Sequence, residues 1–132
     1  MIFIDSNIFI SYFEKRDEII SRRVEKLFSD ITEGRLIAYT SNMVIAEIIW
    51  VLDRIYKWNR EEICDNIEFI LNTPNIKIKD KALLADSIIL FRENNVDFID
   101  CYNYSLMKIE KIEEILTFDK DFEKIGARRR EP

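Results

Sequence analysis

Histidine is missing altogether from the 132 residues of this chain. Its absence excludes Ser-His-Asp nucleophilic catalysis, histidine general-base chemistry and the usual histidine-containing zinc sites. Any catalysis must rest on carboxylates, hydroxyls, lysines or a bound metal. Glycine and proline occur only twice each, and no Ser-rich, Gln-rich or Pro-rich stretch interrupts the pattern. Linkers, repeats and disorder therefore find no support, and the connections should be short. The cysteines, Cys64 and Cys101, lie inside helical patterns with neither CxxC spacing nor a third ligand type. That predicts buried thiols rather than a disulfide or a zinc site. No basic region followed by a long apolar run opens the chain, and the apolar stretches are too short or too often charged to span a bilayer. The expectation is a soluble, cytoplasmic protein with no membrane partner.

What is present is a chain that is 48% hydrophobic and 34% charged, a composition that fits a single domain over residues 1–132 with one core. The net charge of −5 argues against a phosphate-backbone ligand, since non-specific nucleic-acid binding is driven by basic surface. The objection weakens if divalent cations cover several of the acids.

Apolar residues 2–4 predict a short buried strand, and Asp5, Ser6 and Asn7 supply capping residue types for a helix reaching about Phe13. Residues 17–33 alternate apolar and charged positions at helical spacing, with Gly34 as the stop. A strand over 36–39 precedes Thr40, Ser41 and Asn42 as cap candidates, then helices over 43–56 and 60–71. Thr73-Pro74-Asn75 breaks the chain before a strand at 76–78. Helices over 81–93 and 98–109, a strand at 115–117 and a last strand at 127–129 complete the pattern. Strands alternating with helices predict an α/β fold with a mostly parallel central sheet, whose ligands gather beyond the carboxyl ends of its strands.

Four acids fall at that edge in the inferred topology. Asp5 follows the first strand, between two apolar runs, where an unpaired carboxylate resists burial; alone it reads as an N-cap. Glu47 is the only charged residue in a helix segment apolar nearly all round, which predicts burial, although a salt bridge with Arg54 or a narrow solvent-facing stripe would also account for it. Asp100 opens the helix leading to the fourth strand, with Asp97 as its N-cap candidate. Asp119 lies just past that strand, beside Thr117 and Asp121. Independent capping roles do not require four such residues on one edge of one sheet. Clustered carboxylates repel unless cations neutralise them, and oxygen-only ligands suit Mg²⁺ or Mn²⁺.

The opening strand with "DSN", the acid in "AEIIWVL", the segment "DFIDCYNYSLM" and the turn "LTFDKDF" together resemble a PIN-domain nuclease, most closely the small VapC-type toxins of toxin–antitoxin systems. The resemblance implies a three-layer α/β/α fold and Mg²⁺- or Mn²⁺-dependent endoribonuclease activity. Its four acids fall on Asp5, Glu47, Asp100 and Asp119, as catalytic and metal-ligating residues, with Asn7, Thr117, Asp97 and Asp121 as supporting polar groups. The chain departs from the family in having Cys101 where a small residue, often Ala, is usual. The resemblance also implies RNA as substrate, a cognate antitoxin that blocks the site, and a homodimer. For the dimer the sequence adds an excess of large apolar residues in "IIWVLDRIYKW" and "EEICDNIEFIL", although core packing accounts for any one of them, Trp50 and Trp58 included. Arg16, Arg22, Arg23, Arg54 and Lys57 are candidates for guiding RNA, with a solvated helix face as the plainer explanation. The run Arg128-Arg129-Arg130 is a candidate for binding phosphate, with a solubilising terminus as the plainer reading.

Three rival readings stand beside this one. A processing nuclease of the same family outside toxin–antitoxin systems would share every motif. A non-catalytic RNA-binding module would not need the acids. An aspartate-nucleophile phosphotransferase wants a second acid two residues after the nucleophile, where this chain has Asn7.

Overall fold

The computed structural model describes residues 1–132, and its elements follow the predicted alternation closely. They run β1 (Ile2–Phe3), α1 (Ser6–Glu14), α2 (Glu18–Thr32), β2 (Ala38–Thr40), α3 (Asn42–Arg54), α4 (Arg60–Asn72), β3 (Ile76–Ile78), α5 (Lys81–Glu93), α6 (Phe98–Ile109), β4 (Ile115–Leu116), α7 (Asp121–Lys124) and β5 (Arg129–Arg130). The chain divides into two compact units, Met1–Lys79 and Asp80–Pro132.

In the first unit β1, β2 and β3 form a parallel ladder in that order, with Ile2 opposite Ala38 and Ala38 opposite Ile76. Parallel pairing requires the crossovers that α1–α2 and α3–α4 supply. The helix starts are those that local chemistry favours. Asp17 caps α2 by accepting from the Ile19 and Ile20 amides, Ser41 caps α3 from Val44, and Asn59 caps α4 from Glu62. After α2 the chain turns through Gly34 at φ +79°, a left-handed conformation that costs other residues a Cβ clash. Asn75 then donates to the Ile31 carbonyl at 2.8 Å and joins the end of α2 to the approach to β3. Helical spacing carries Val24, Phe28 and Ile31 inward, and Phe9, Ile45, Ile48, Leu52, Ile67 and Ile76 are buried with them, the rings of Phe28 and Phe9 meeting at 5.6 Å.

The second unit is built on α5 and α6, whose buried residues include Leu84, Ile88, Phe91, Phe98, Cys101 and Met107. Phe91 and Phe98 meet edge to face at 5.9 Å. Here β4 and β5 form their own parallel ladder, Ile115 opposite Arg129.

The α/β fold with parallel strands is as expected, and hydrogen bonding groups the five strands into two parallel ladders, β1–β2–β3 and β4–β5. Several finer expectations need correction. The strand expected at 2–4 is not buried throughout: only Ile4 is inside, while Ile2 and Phe3 are exposed on an edge strand. Thr40 belongs to β2 and leaves the capping of α3 to Ser41. Trp50 is 58% exposed and is no part of the core. Of the three C-terminal arginines, Arg128 and Arg130 stand exposed, as a solubilising terminus would have them, and Arg129 does not. Arg128 and Arg130 pair with Glu114, and Arg129 reaches Glu123 and Glu131. Both cysteines are free and buried, as expected, and no helix is long and apolar enough to cross a membrane.

Candidate active site

The candidate residues divide between the units, with Asp5, Asn7 and Glu47 in the first and Asp97, Asp100, Thr117, Asp119 and Asp121 in the second.

Asp5 occupies the N-cap position of α1, but its side chain makes no capping hydrogen bond and stands exposed. A carboxylate at a helix N-terminus is favoured by the helix dipole, and here it is left available to a ligand. Next to it, Ser6 is buried and its hydroxyl donates to Glu47 Oε2 at 2.9 Å. That bond links the start of α1 to α3 and fixes one oxygen of the Glu47 carboxylate.

Glu47 itself is exposed, which overturns its expected burial. It shares a solvent-facing stripe with Met43, Trp50 and Arg54, at helical spacing along α3. The exposed apolar residues on that stripe are what made the helix read as buried all round. Arg54 pairs with its neighbour Asp53 at 3.3 Å. Sequence reasoning missed Thr40 as a positioning residue: it is fully buried and donates to the Ile4 carbonyl at 2.9 Å, which holds the chain immediately before Asp5.

In the second unit Asp97 is the N-cap residue of α6, again without a side-chain capping bond, and Asp100 stands in the first turn. The Asp100 carboxyl is pushed above its ordinary value by partial burial first, and then by the negative charges of Asp119, Asp97 and Asp121. Asp119, Asp97 and Asp121 thus each lie within electrostatic reach of Asp100. Asp119 and its flanks form a tight turn. The Asp119 amide donates to Thr117 Oγ1 at 3.0 Å, and Asp119 Oδ1 accepts from the Asp121 amide at 2.8 Å. Asp121 pairs with Lys124 at 2.9 Å.

Within neither unit do three or more acids converge closely enough to hold a metal ion. The donor types are nonetheless those a hard cation takes: carboxylates, hydroxyls and an amide, with mutual repulsion at Asp100 that a cation would relieve.

The PIN domain family profile matches residues 2–128 of this chain. A VapC ribonuclease from Aquifex aeolicus (strain VF5) is 25% identical over 129 residues, covering 98% of this chain and 95% of the relative. A solved structure, that of the sarcin–ricin loop cleaving toxin VapC20 from Mycobacterium tuberculosis, aligns over 100% of both chains with a TM-score of 0.44 and 18% identity.

Proposed function

The chain belongs to the PIN domain family, and from that premise we propose that it is a metal-dependent endoribonuclease of the VapC type, the toxin of a toxin–antitoxin pair. The observation that carries this reading is the family match across residues 2–128, which includes all four candidate acids and runs through both compact units. It also supports reading residues 1–132 as one PIN-like domain. The VapC ribonuclease relative, alike over nearly the full length of both chains, supports RNA as the substrate.

Asp5, Glu47, Asp100 and Asp119 are the residues that would hold Mg²⁺ or Mn²⁺, with Asn7, Thr117, Asp97 and Asp121 in support. Such a cation, when bound, polarises the scissile phosphodiester and an attacking water, and stabilises charge on the leaving oxygen. The chain's own part is to present the acids in fixed orientations. Ser6 holds one Glu47 oxygen, Thr117 and the Asp121 amide hold the Asp119 turn, and the start of α6 places Asp100 among other acids.

A cognate antitoxin and a second copy of the chain are the proposed protein partners, acting in the cytoplasm. Exposed Met43, Trp50 and Ile55 along and just beyond α3 favour an apolar partner surface. Light scattering that found only monomer at micromolar concentration would remove the dimer.

The deciding experiment incubates the purified protein with total RNA and Mn²⁺, beside the Asp5→Asn protein and an EDTA control. Discrete cleavage lost in both controls is the expected result. Intact RNA with folded wild-type protein would overturn the nuclease reading.

A further inference from the structure

Arg23 differs from every other arginine of the chain. The others all have partners: Arg22, its neighbour, pairs with Glu18, the three C-terminal arginines pair with acids, and Arg60 and Arg92 are also engaged. Arg23 stands exposed on α2 with no hydrogen bond, ion pair or ring contact. It lines a cleft of about 470 Å³ in which Asn7, Ile8 and Ser11 of α1 face Ile20, Arg23 and Leu27 of α2. No acid lines that cleft, although the chain as a whole carries a net charge of −5. Glu14 and Asp17, which line the adjoining hollow beyond Ser11 and Ile20, are already engaged by Arg16 and by the amides at the start of α2. The cleft also reaches Asn7, two residues after Asp5.

We infer that the α1–α2 cleft is a backbone-phosphate subsite for the RNA strand, with Arg23 as its cation and Asn7 and Ser11 as neutral hydrogen-bonding groups. The inference rests on the ribonuclease reading above and extends it. An unpaired guanidinium presents a planar fork of donors matched to phosphate oxygens, and no carboxylate in the cleft competes for it. The apolar walls supplied by Ile8, Ile20 and Leu27 suit the sugar that accompanies a phosphate. The subsite would hold the strand beside Asp5 without supplying chemistry, so Arg23 is a binding residue and belongs to KM rather than to kcat.

The test measures binding of a short single-stranded RNA of mixed sequence to the Asp5→Asn protein with Mg²⁺, between about 50 and 200 mM salt. Arg23→Gln, Arg23→Lys and, as a control with the same charge change, Lys26→Gln are added in turn. Lys26 is chosen because it is already paired with Asp30. Loss of one phosphate contact on a single strand lowers the slope of log K against log salt by about 0.7, and affinity should fall roughly tenfold in Arg23→Gln. Arg23→Lys should keep the slope, and Lys26→Gln should change neither quantity. In the wild-type background, with Asp5 intact, cleavage by Arg23→Gln should show raised KM at unchanged kcat. Cleavage by wild type, with the Arg23→Gln salt slope unchanged in the Asp5→Asn background and its KM unchanged in the wild-type background, would overturn the subsite and leave the nuclease reading standing. An Arg23-dependent slope without any cleavage by wild type would overturn the nuclease reading and keep the subsite. No RNA binding by the Asp5→Asn protein would remove the subsite as well.

Discussion

The Ser6 hydroxyl and the Glu47 carboxylate, 41 positions apart in the chain, meet at 2.9 Å. Ser6 is buried and Glu47 is exposed, so the bond reaches from the interior to a surface carboxylate and orients it. Replacing Ser6 by Ala removes the only donor that this bond has. Because Glu47 can turn to water, the cost to folding should be small, about 0.5–1.5 kcal/mol. A group that orients a metal ligand typically matters more for the metal, and Mn²⁺ affinity should fall about 10–100-fold. Titration calorimetry with Mn²⁺ and urea denaturation, run on the same protein, separate the two effects. Unchanged Mn²⁺ affinity would show that Ser6 does not orient a ligand.

Thr40 does a comparable job one layer deeper. Its fully buried hydroxyl donates to the Ile4 carbonyl, across the β1–β2 pair and next to Asp5. Thr40→Val keeps the shape and deletes the donor, leaving a buried acceptor short of a partner at a cost of about 1–3 kcal/mol. A drop in the urea midpoint without a change in the slope of the transition is the expected observation. A stability equal to wild type would mean that water or another donor replaces the hydroxyl.

Much of this was legible in the sequence, and the failures have a common cause. Helix starts at Asp17, Ser41 and Asn59 were readable because capping is a local bond between residues two or three apart. Asp5 and Asp97 carry the same residue type at the same position, yet their side chains do not cap; residue type alone does not say which way a carboxylate turns. Ser6 and Thr40 found partners 41 and 36 positions away, and no local pattern announces such a bond. Glu47 was misread as buried because Met43 and Trp50, though apolar, lie on its exposed stripe. Arg129 was misread as solvated terminus. Its side chain is only 12% exposed, held by Glu123 and Glu131, and it donates to the Thr117 carbonyl at 3.3 Å, contacts that appear only once β5 pairs with β4. That Asp97 and Asp100 fall at a helix start, Asp5 at another and Asp119 in a turn was legible, because those positions follow from the local pattern of strand, turn and helix.

Asp100 gives a prediction whose sign is fixed by its surroundings. Partial burial, then Asp119, Asp97 and Asp121, raise its carboxyl above the ordinary value of 3.8. A raised value means that the folded state binds the proton more tightly than the unfolded state does. Its proton therefore stabilises the fold fully below 3.8, and that contribution is lost as pH rises through the raised value. Asp100→Asn removes the repelling charge, so at neutral pH the metal-free variant should melt at or above the wild-type temperature. The advantage should shrink as pH is lowered through the raised value. Mn²⁺ should raise the melting temperature of wild type by more than that of the variant, since a ligand stabilises only what it binds. A destabilised variant at neutral pH would show that the Asp100 carboxylate makes a favourable contact that outweighs the repulsion.

The turn at Asp119 allows structure and chemistry to be separated by two substitutions at one position. Asp119 Oδ1 accepts from the Asp121 amide at 2.8 Å, and an asparagine oxygen can accept the same bond. Asp119→Asn should therefore keep the turn, and with it the melting temperature, while removing the negative charge that a cation would need. Asp119→Ala loses both, and should add about 0.5–1.5 kcal/mol of destabilisation. If Asp119 serves the metal, the two variants share one defect in Mn²⁺ affinity and RNA cleavage despite their different stabilities. If it serves only the turn, Asp119→Asn behaves as wild type and activity follows stability. Thr117 supplies the internal control: its hydroxyl accepts from the Asp119 amide at 3.0 Å, so Thr117→Ser should preserve cleavage and Thr117→Val should weaken it through the position of Asp119. Equal activity of Thr117→Val and wild type would separate the turn from the chemistry and leave the charge of Asp119 as the only part of this loop that cleavage requires.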